Sequence, residues 1–411
     1  MRRLNVAVLF FFLSGSAFGQ TLTITQFLKS SLNDVYFKSF DAQSTFLQSR
    51  KSFSLPLIDQ LQFRYQDNQF NNFQSRYGLR VDPVNPWHAY RNNQYYQGVQ
   101  TLKVLEQKMV LKKLLLNRYG QIVQYWMATE ASDIVYQQRL IREKISKAYA
   151  AKAGSSGFNP DKYIETQLDL LNKEADWQEA ELKKEIARQE ILNATNSTAL
   201  QFDFSELISI DRINQLISSS ANEAEQTEYQ LLIQRLAVAG KKLNAEKSDF
   251  NLGFLQAMYN SDRRLGDTNT MGLAFGISIP LPGSNKENVT REKLNQLERQ
   301  SDVEKFKSEN SAEKKNDFLF LKIHLMHYQK VDSLINTITE RKLNTFSALA
   351  NNYDPILELS YEEKLIQFDV LKSKIKKEIL LQYIAYLDTL DKLHERPLVN
   401  YLSKNLEAIE Q

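Results

Sequence analysis

Apolar residues recur along this chain with two different periods. From Leu57 the period is two: Leu57, Leu61, Phe63 and Tyr65 are set among Gln60, Gln62, Arg64 and Gln66, and after a polar stretch Tyr77, Leu79 and Val81 alternate with Arg76, Gly78 and Arg80. Successive side chains of a strand point to opposite faces, so residues 55–86 predict a β-hairpin with one apolar and one polar face. Pro83 and Pro86 end it, because neither can donate a ladder hydrogen bond. The less apolar run Asp82, Pro83, Val84, Asn85 predicts that its second strand is short. A second hairpin is predicted over 250–281, with Phe250, Leu252, Phe254 and Met258 on one strand and Met271, Leu273, Phe275, Ile277 and Ile279 on the other. Gly272, Ala274, Gly276 and Ser278 alternate with the latter, as suits a wall with lipid on one side and water or crowded backbone on the other.

Elsewhere the period is helical. Residues 21–51 predict a helix, with Phe27, Leu28, Leu32, Val35, Tyr36, Phe40, Phe46 and Leu47 as its apolar positions. From residue 92 to 151 there is no proline, and a helix of that length would extend roughly 90 Å. The stretch from Ala153 to Pro160 interrupts it, and the helical pattern then resumes to residue 196, which gives an elongated antiparallel helical hairpin over 92–196. Residues 222–248 are helical again, and a second long hairpin over 287–394 turns at Asn351, Asn352, Tyr353, Asp354 and Pro355.

The same order of elements thus occurs twice, and the residues repeat with it. Gly78 to Pro86 lies over Gly272 to Pro280, and Leu182 to Ile191 lies over Ile375 to Ile384, at spacings of 193 to 194 residues. A repeat of this length implies two equivalent half-structures joined head to tail. We place the first at 20–218 and the second, with its C-terminal tail, at 219–411, with the junction in the mixed segment 197–220.

The first residues read Met1, Arg2, Arg3, then an apolar run from Val6 to Leu13 and small residues at Ala17 and Gly19. Residues 1–19 therefore predict a signal peptide, too short in its apolar part to span a membrane. There is no cysteine, and 52 Lys and Arg against 49 Asp and Glu leave a formal charge of only +3. That balance gives nucleic-acid binding no support. Neither a Gly-rich phosphate loop, nor a nucleophile elbow, nor zinc spacing occurs, so nothing points to an enzyme or a cofactor. His324 and His327 are spaced for one helix face but lack further ligands, and solvation or packing accounts for them.

Two hairpins supply four strands, too few to close a barrel, and an open amphipathic sheet in lipid leaves unpaired edges. Three copies sharing one barrel remove the edges with about twelve strands, an even number within the range of such barrels. The long helices are rich in Lys, Glu and Gln and belong in water. The fold class expected is mainly α with a small transmembrane β part, internally duplicated. Gly272 to Gly283, a strand running through prolines into a long helix, resembles the final strand of the TolC-like outer-membrane efflux family. Glu165-Thr-Gln-Leu and Glu358-Leu-Ser-Tyr, just past the helical breaks, are similar to that family's acidic residue followed by small or polar ones.

The resemblance implies a homotrimer whose β-barrel crosses the outer membrane and whose helical barrel spans the periplasm. It implies as partners a periplasmic adaptor, an inner-membrane pump and outer-membrane lipid, with the chain as a passive exit duct. The lipid-facing residues expected are Leu61, Phe63, Tyr65, Leu79, Val81, Phe250, Leu252, Phe254, Leu273, Phe275, Ile277 and Ile279. Gly154, Gly157, Asn159, Asn351, Asn352 and Tyr353 form the turns expected to dock the adaptor. Asp161, Glu165, Asp354 and Glu358 are candidates for a gate, since three-fold symmetry makes a ring of each carboxylate. They are equally at home as solvated carboxylates favoured by a helix N-terminus. Trp87, Tyr90, Tyr95 and Tyr96 fit either an interfacial aromatic girdle or packing between helices. An exported coiled-coil adaptor without a barrel remains the alternative from another class.

Overall fold

The structure is a computed structural model that describes residues 22–49, 58–67, 74–155, 158–219, 226–250, 252–262, 268–278, 285–348 and 355–410. The expected signal peptide lies outside the described residues, as do Gly157, Ile279, Asn351, Asn352, Tyr353 and Asp354.

The element order is α1 (Ile24–Lys29), α2 (Val35–Ser49), β1 (Ile58–Asp67), β2 (Gln74–Pro83), α3 (Pro86–Ala151), α4 (Pro160–Thr195), α5 (Ile210–Ser219), α6 (Thr227–Lys247), β3 (Gly253–Asp262), β4 (Thr268–Ile277), α7 (Lys286–Ala348) and α8 (Pro355–Thr389). The N-terminal helix expected over 21–51 is divided by a 3₁₀ turn at Ser30–Asn33. Asp34 then starts α2, its carboxylate accepting from the Tyr36 amide at 2.9 Å. The junction holds a short helix of its own, α5.

Helix α3 is 66 residues long and α7 is 63, each about 100 Å at 1.5 Å per residue. Helix α3 packs against α2, α4, α6 and α8, and α7 against α6 and α8, so each long helix is flanked by shorter ones. The main core lies where Leu111, Leu115, Tyr119, Ile122 and Trp126 on one face of α3 meet Ile379, Leu380, Tyr383 and Leu387 of α8. Spacings of three and four residues put these side chains on one stripe. Phe27 and Leu28 of α1, Ile213 of α5 and Leu393, Leu398, Leu402 and Ile409 of the C-terminal tail close over the stripe. Tyr119 ties the tail down, its hydroxyl donating to the Val399 carbonyl at 2.9 Å and accepting from the Tyr401 amide at 3.2 Å.

A buried ionic cluster borders this core. Lys112 of α3 lies 2.8 Å from Asp391 and 3.7 Å from Asp388, and Asp391 also accepts from the amide of Thr227 at the start of α6. Burial pushes the Asp388 carboxyl up to about 6 despite the nearby Lys112. Asp391 is held below the ordinary carboxylate value, because its bonds to Lys112 and the Thr227 amide outweigh its burial.

The four strands form one antiparallel sheet in the order β1-β2-β3-β4. The strand expected to be short is not: β2 and β4 each have 10 residues. Asp82 sits within the ladder because Arg80 neutralises it at 2.7 Å. Gly253 opens β3 with φ +116, a left-handed conformation, and its Cα faces the Gly276 backbone so closely that a Cβ would collide with it. Gly253→Ala should therefore distort the β3-β4 pairing and reduce folded, protease-resistant protein several-fold, measured by limited proteolysis of the extracted protein; wild-type resistance would contradict this.

Candidate functional site

The sheet has two chemically distinct faces, and the register defines both. Leu61, Val81, Leu255 and Phe275 form one continuous rung, followed by Phe63, Leu79, Ala257 and Leu273, and then by Tyr65, Tyr77, Tyr259 and Met271. The third rung gathers three tyrosines side by side, with ring centroids 5.1 Å apart for Tyr65 and Tyr77 and 6.4 Å for Tyr77 and Tyr259. Among the described residues nothing covers this face: Leu273 is 89% exposed and Phe275 76%.

Phe254 departs from the sequence expectation. It pairs with Gly276 and shares the opposite face with Gln256 and Met258, while Leu255 takes the place expected for it on the apolar face. Phe250 and Leu252 precede β3 altogether. The reason is the break at Gly253, which resets the alternation that the sequence reading carried through from Phe250. Glycine at 276 leaves the space that the Phe254 ring occupies, and the Arg80 guanidinium lies 4.2 Å from the centre of that ring.

The hairpins are anchored to the helices by two asparagines that the sequence reading passed over. Asn85 caps α3, accepting from the Trp87 and His88 amides, and its Nδ2 donates to the Ser248 and Phe250 carbonyls at 2.7 and 3.1 Å. Asn285, just before α7, donates to the Glu246 carbonyl at 2.9 Å. Both long helices thus start on the end of α6. The signal was legible at Asn85, since a capping residue directly before a proline at the first helical position marks a helix start. Trp87 and Tyr90 beside this joint are exposed, whereas Tyr95 and Tyr96 pack on each other at 5.1 Å.

At the far end, α3 turns into α4 through Gly154, at φ +89, and Asn159, whose side chain accepts from the Lys162 amide at 3.1 Å. Asp161 and Glu165 are exposed in the first turns of α4, and Glu358 is half-buried in the first turn of α8. Ile356 of α8 packs on Ile141 and Ile145 of α3. Arg142 of α3 joins the two helical hairpins, bonding Asp169 of α4 at 3.1 Å and Glu363 of α8 at 2.7 Å. Among the described residues no group of three or more His, Cys, Asp or Glu could hold a metal, and no helix is long and apolar enough to cross a membrane.

This fold is that of solved bacterial outer-membrane channels. The Campylobacter jejuni CmeC outer membrane channel superposes with a TM-score of 0.64 at 12% identity, over 93% of this chain and 87% of its own. The open state of the Neisseria gonorrhoeae MtrE outer membrane channel matches at 0.61 and 13% identity, over 90% of this chain and 88% of its own. The outer membrane protein VceC from Vibrio cholerae matches at 0.62 and 10% identity, over 90% of this chain and 96% of its own. No family sequence model matches the chain, and no curated protein matches it in sequence.

Proposed function

We propose that this chain, whose fold is that of the TolC-like outer-membrane channels, forms a homotrimeric duct through the outer membrane and serves as the exit of a tripartite efflux or type I secretion assembly. The observation that carries this reading is the uncovered apolar face of an open sheet. Strands of 10 residues span about 33 Å, and tilted by about 40° they match an apolar band of about 25 Å. An open sheet exposes the backbone of β1 and β4, which lipid cannot satisfy. Pairing β4 of one copy with β1 of the next removes both edges and turns the apolar rungs outward.

The helices support the same assembly. Ile164, Leu168, Leu171, Leu182 and Ile186 of α4 are all exposed at helical spacing, a stripe that a neighbouring copy can cover. The helical part, in which no described helix is long and apolar enough to cross a membrane, stands in the periplasm and its turns meet the adaptor, while an inner-membrane pump selects the cargo. A barrel-free adaptor has no use for the exposed rungs.

In this reading the acidic residues after the helical turns, Asp161, Glu165, Asp354 and Glu358, ring the narrow end and gate it. Asp354→Ala and Glu358→Ala are expected to raise the resting conductance in planar bilayers or weaken block by divalent cations. Unchanged conductance and block would remove the gate assignment, whereas a wild-type protein that never conducts would remove the duct.

A further inference from the structure

The face of the sheet opposite the apolar rungs carries an unbalanced positive charge. Gln60, Gln62, Arg64 and Gln66 of β1 lie there with Arg76, Gly78, Arg80 and Asp82 of β2, and the corresponding positions of β4 are Thr270, Gly272, Ala274 and Gly276. Among the described residues, the register places the carboxylates of Asp82 and Asp262 on this face with the three arginines, and Asp59 lies at the irregularity between Ile58 and Gln60. Asp82 is taken up by Arg80, and Asp262 ends β3 one pair beyond the Gln66, Arg76 and Asn260 rung.

Arg64 and Arg76 differ from Arg80 in their partners. Arg64 donates to the Gln62 side-chain oxygen at 2.8 Å and Arg76 to that of Asn260 at 2.7 Å. Neutral amides thus orient both guanidinium groups without cancelling their charge, and neither forms an ion pair among the described residues. Both are exposed. Arg64 stands opposite Gly78 while Arg76 pairs with Gln66, so the two cations are diagonal neighbours with backbones about 7–8 Å apart. Met258 and Asn260 of β3 flank them, and Thr270 and Gly272 of β4 add no charge to these two rungs.

We infer that Arg64 and Arg76 form an anion-selecting site in the lumen of the barrel, repeated by the three-fold axis, that favours solutes bearing several phosphate groups. The inference rests on the channel reading, which turns this face inward. Inside a low-dielectric wall, fixed cations focus the field and concentrate counter-charge, so the arginines differ from ordinary surface charges. The helical turns lie about 100 Å away along α3, many screening lengths at physiological salt, so the two ends act independently.

The test uses the purified protein in planar bilayers, reading the reversal potential in a KCl gradient and block by inorganic tripolyphosphate added on the sheet side. The wild type should be blocked at low salt. Arg64→Gln/Arg76→Gln should shift the reversal potential toward potassium and raise the half-blocking concentration about tenfold. Arg64→Lys/Arg76→Lys, which keeps the charge, should retain most of the block. A conducting Gln variant with wild-type selectivity and block, or a Lys variant as weakly blocked as the Gln variant, would overturn the site while leaving the duct standing. Failure of the wild type to conduct would overturn both.

Discussion

Leu273→Arg is expected to abolish insertion into the outer membrane, whereas the same change at the next residue, Ala274→Arg, should leave insertion largely intact. Leu273 is 89% exposed in mid-strand on the apolar face, and Ala274 lies on the polar face opposite Gln256. Arginine facing lipid near the bilayer midplane costs about 2–4 kcal/mol. Three-fold symmetry imposes that cost on every copy of one barrel, which takes a large part of the stability of a typical fold. Arginine at 274 points into water and costs little. The readout is the fraction of each variant recovered in outer membranes and extracted as a heat-modifiable oligomer. Equal behaviour of the two variants would mean that the rungs do not face lipid.

Lys112→Met is expected to destabilise the chain by about 3–5 kcal/mol, because it removes the cation from two buried carboxylates. Lys112, Asp388 and Asp391 are all buried or nearly so, so their charges are poorly replaced by water. The pH dependence identifies the cause. In the wild type Asp388 titrates at about 6 against 3.8 unfolded, so the folded state binds the extra proton between those values and this group lowers stability as pH rises through that window. Asp391 has the opposite sign: its depressed folded value contributes stability above 3.8 that is lost as pH falls through it. Without Lys112 both carboxyls favour the protonated form, so the deficit should be largest near pH 8 and smaller near pH 5. Thermal unfolding of the detergent-solubilised protein at both values measures this. A deficit independent of pH would assign the loss to packing, and no deficit would remove the cluster from the stability account.

Much of this architecture is written locally and is therefore legible. Alternation at Leu61, Phe63 and Tyr65, the prolines after each second strand, and helical stretches free of proline each reflect one element's own geometry. Reading alternation from Phe250 misassigned Phe254 because a single residue, Gly253, shifts which side of the strand is counted, and period two has no tolerance for such a shift. The same reading made β2 too short, since Asp82 looks unfit for a strand until Arg80 neutralises it. Arg142 bridging to Glu363, and Lys112 meeting Asp391, join residues more than 200 positions apart. Their types are ordinary on a solvated helix, and only packing brings them together. Asp161, Glu165 and Glu358 lie in the first turns of helices, where a gate and a simple helix terminus require the same residues.

A duct of this kind requires several copies to close one barrel, and the most direct measurement is the mass and shape of the detergent-extracted protein by mass photometry and negative-stain imaging. A trimer drawn out as a long tube, with a micelle around one end only, is the predicted result. A monomer or dimer that stays soluble without detergent would contradict it, and would leave an exported helical adaptor as the better description of the chain.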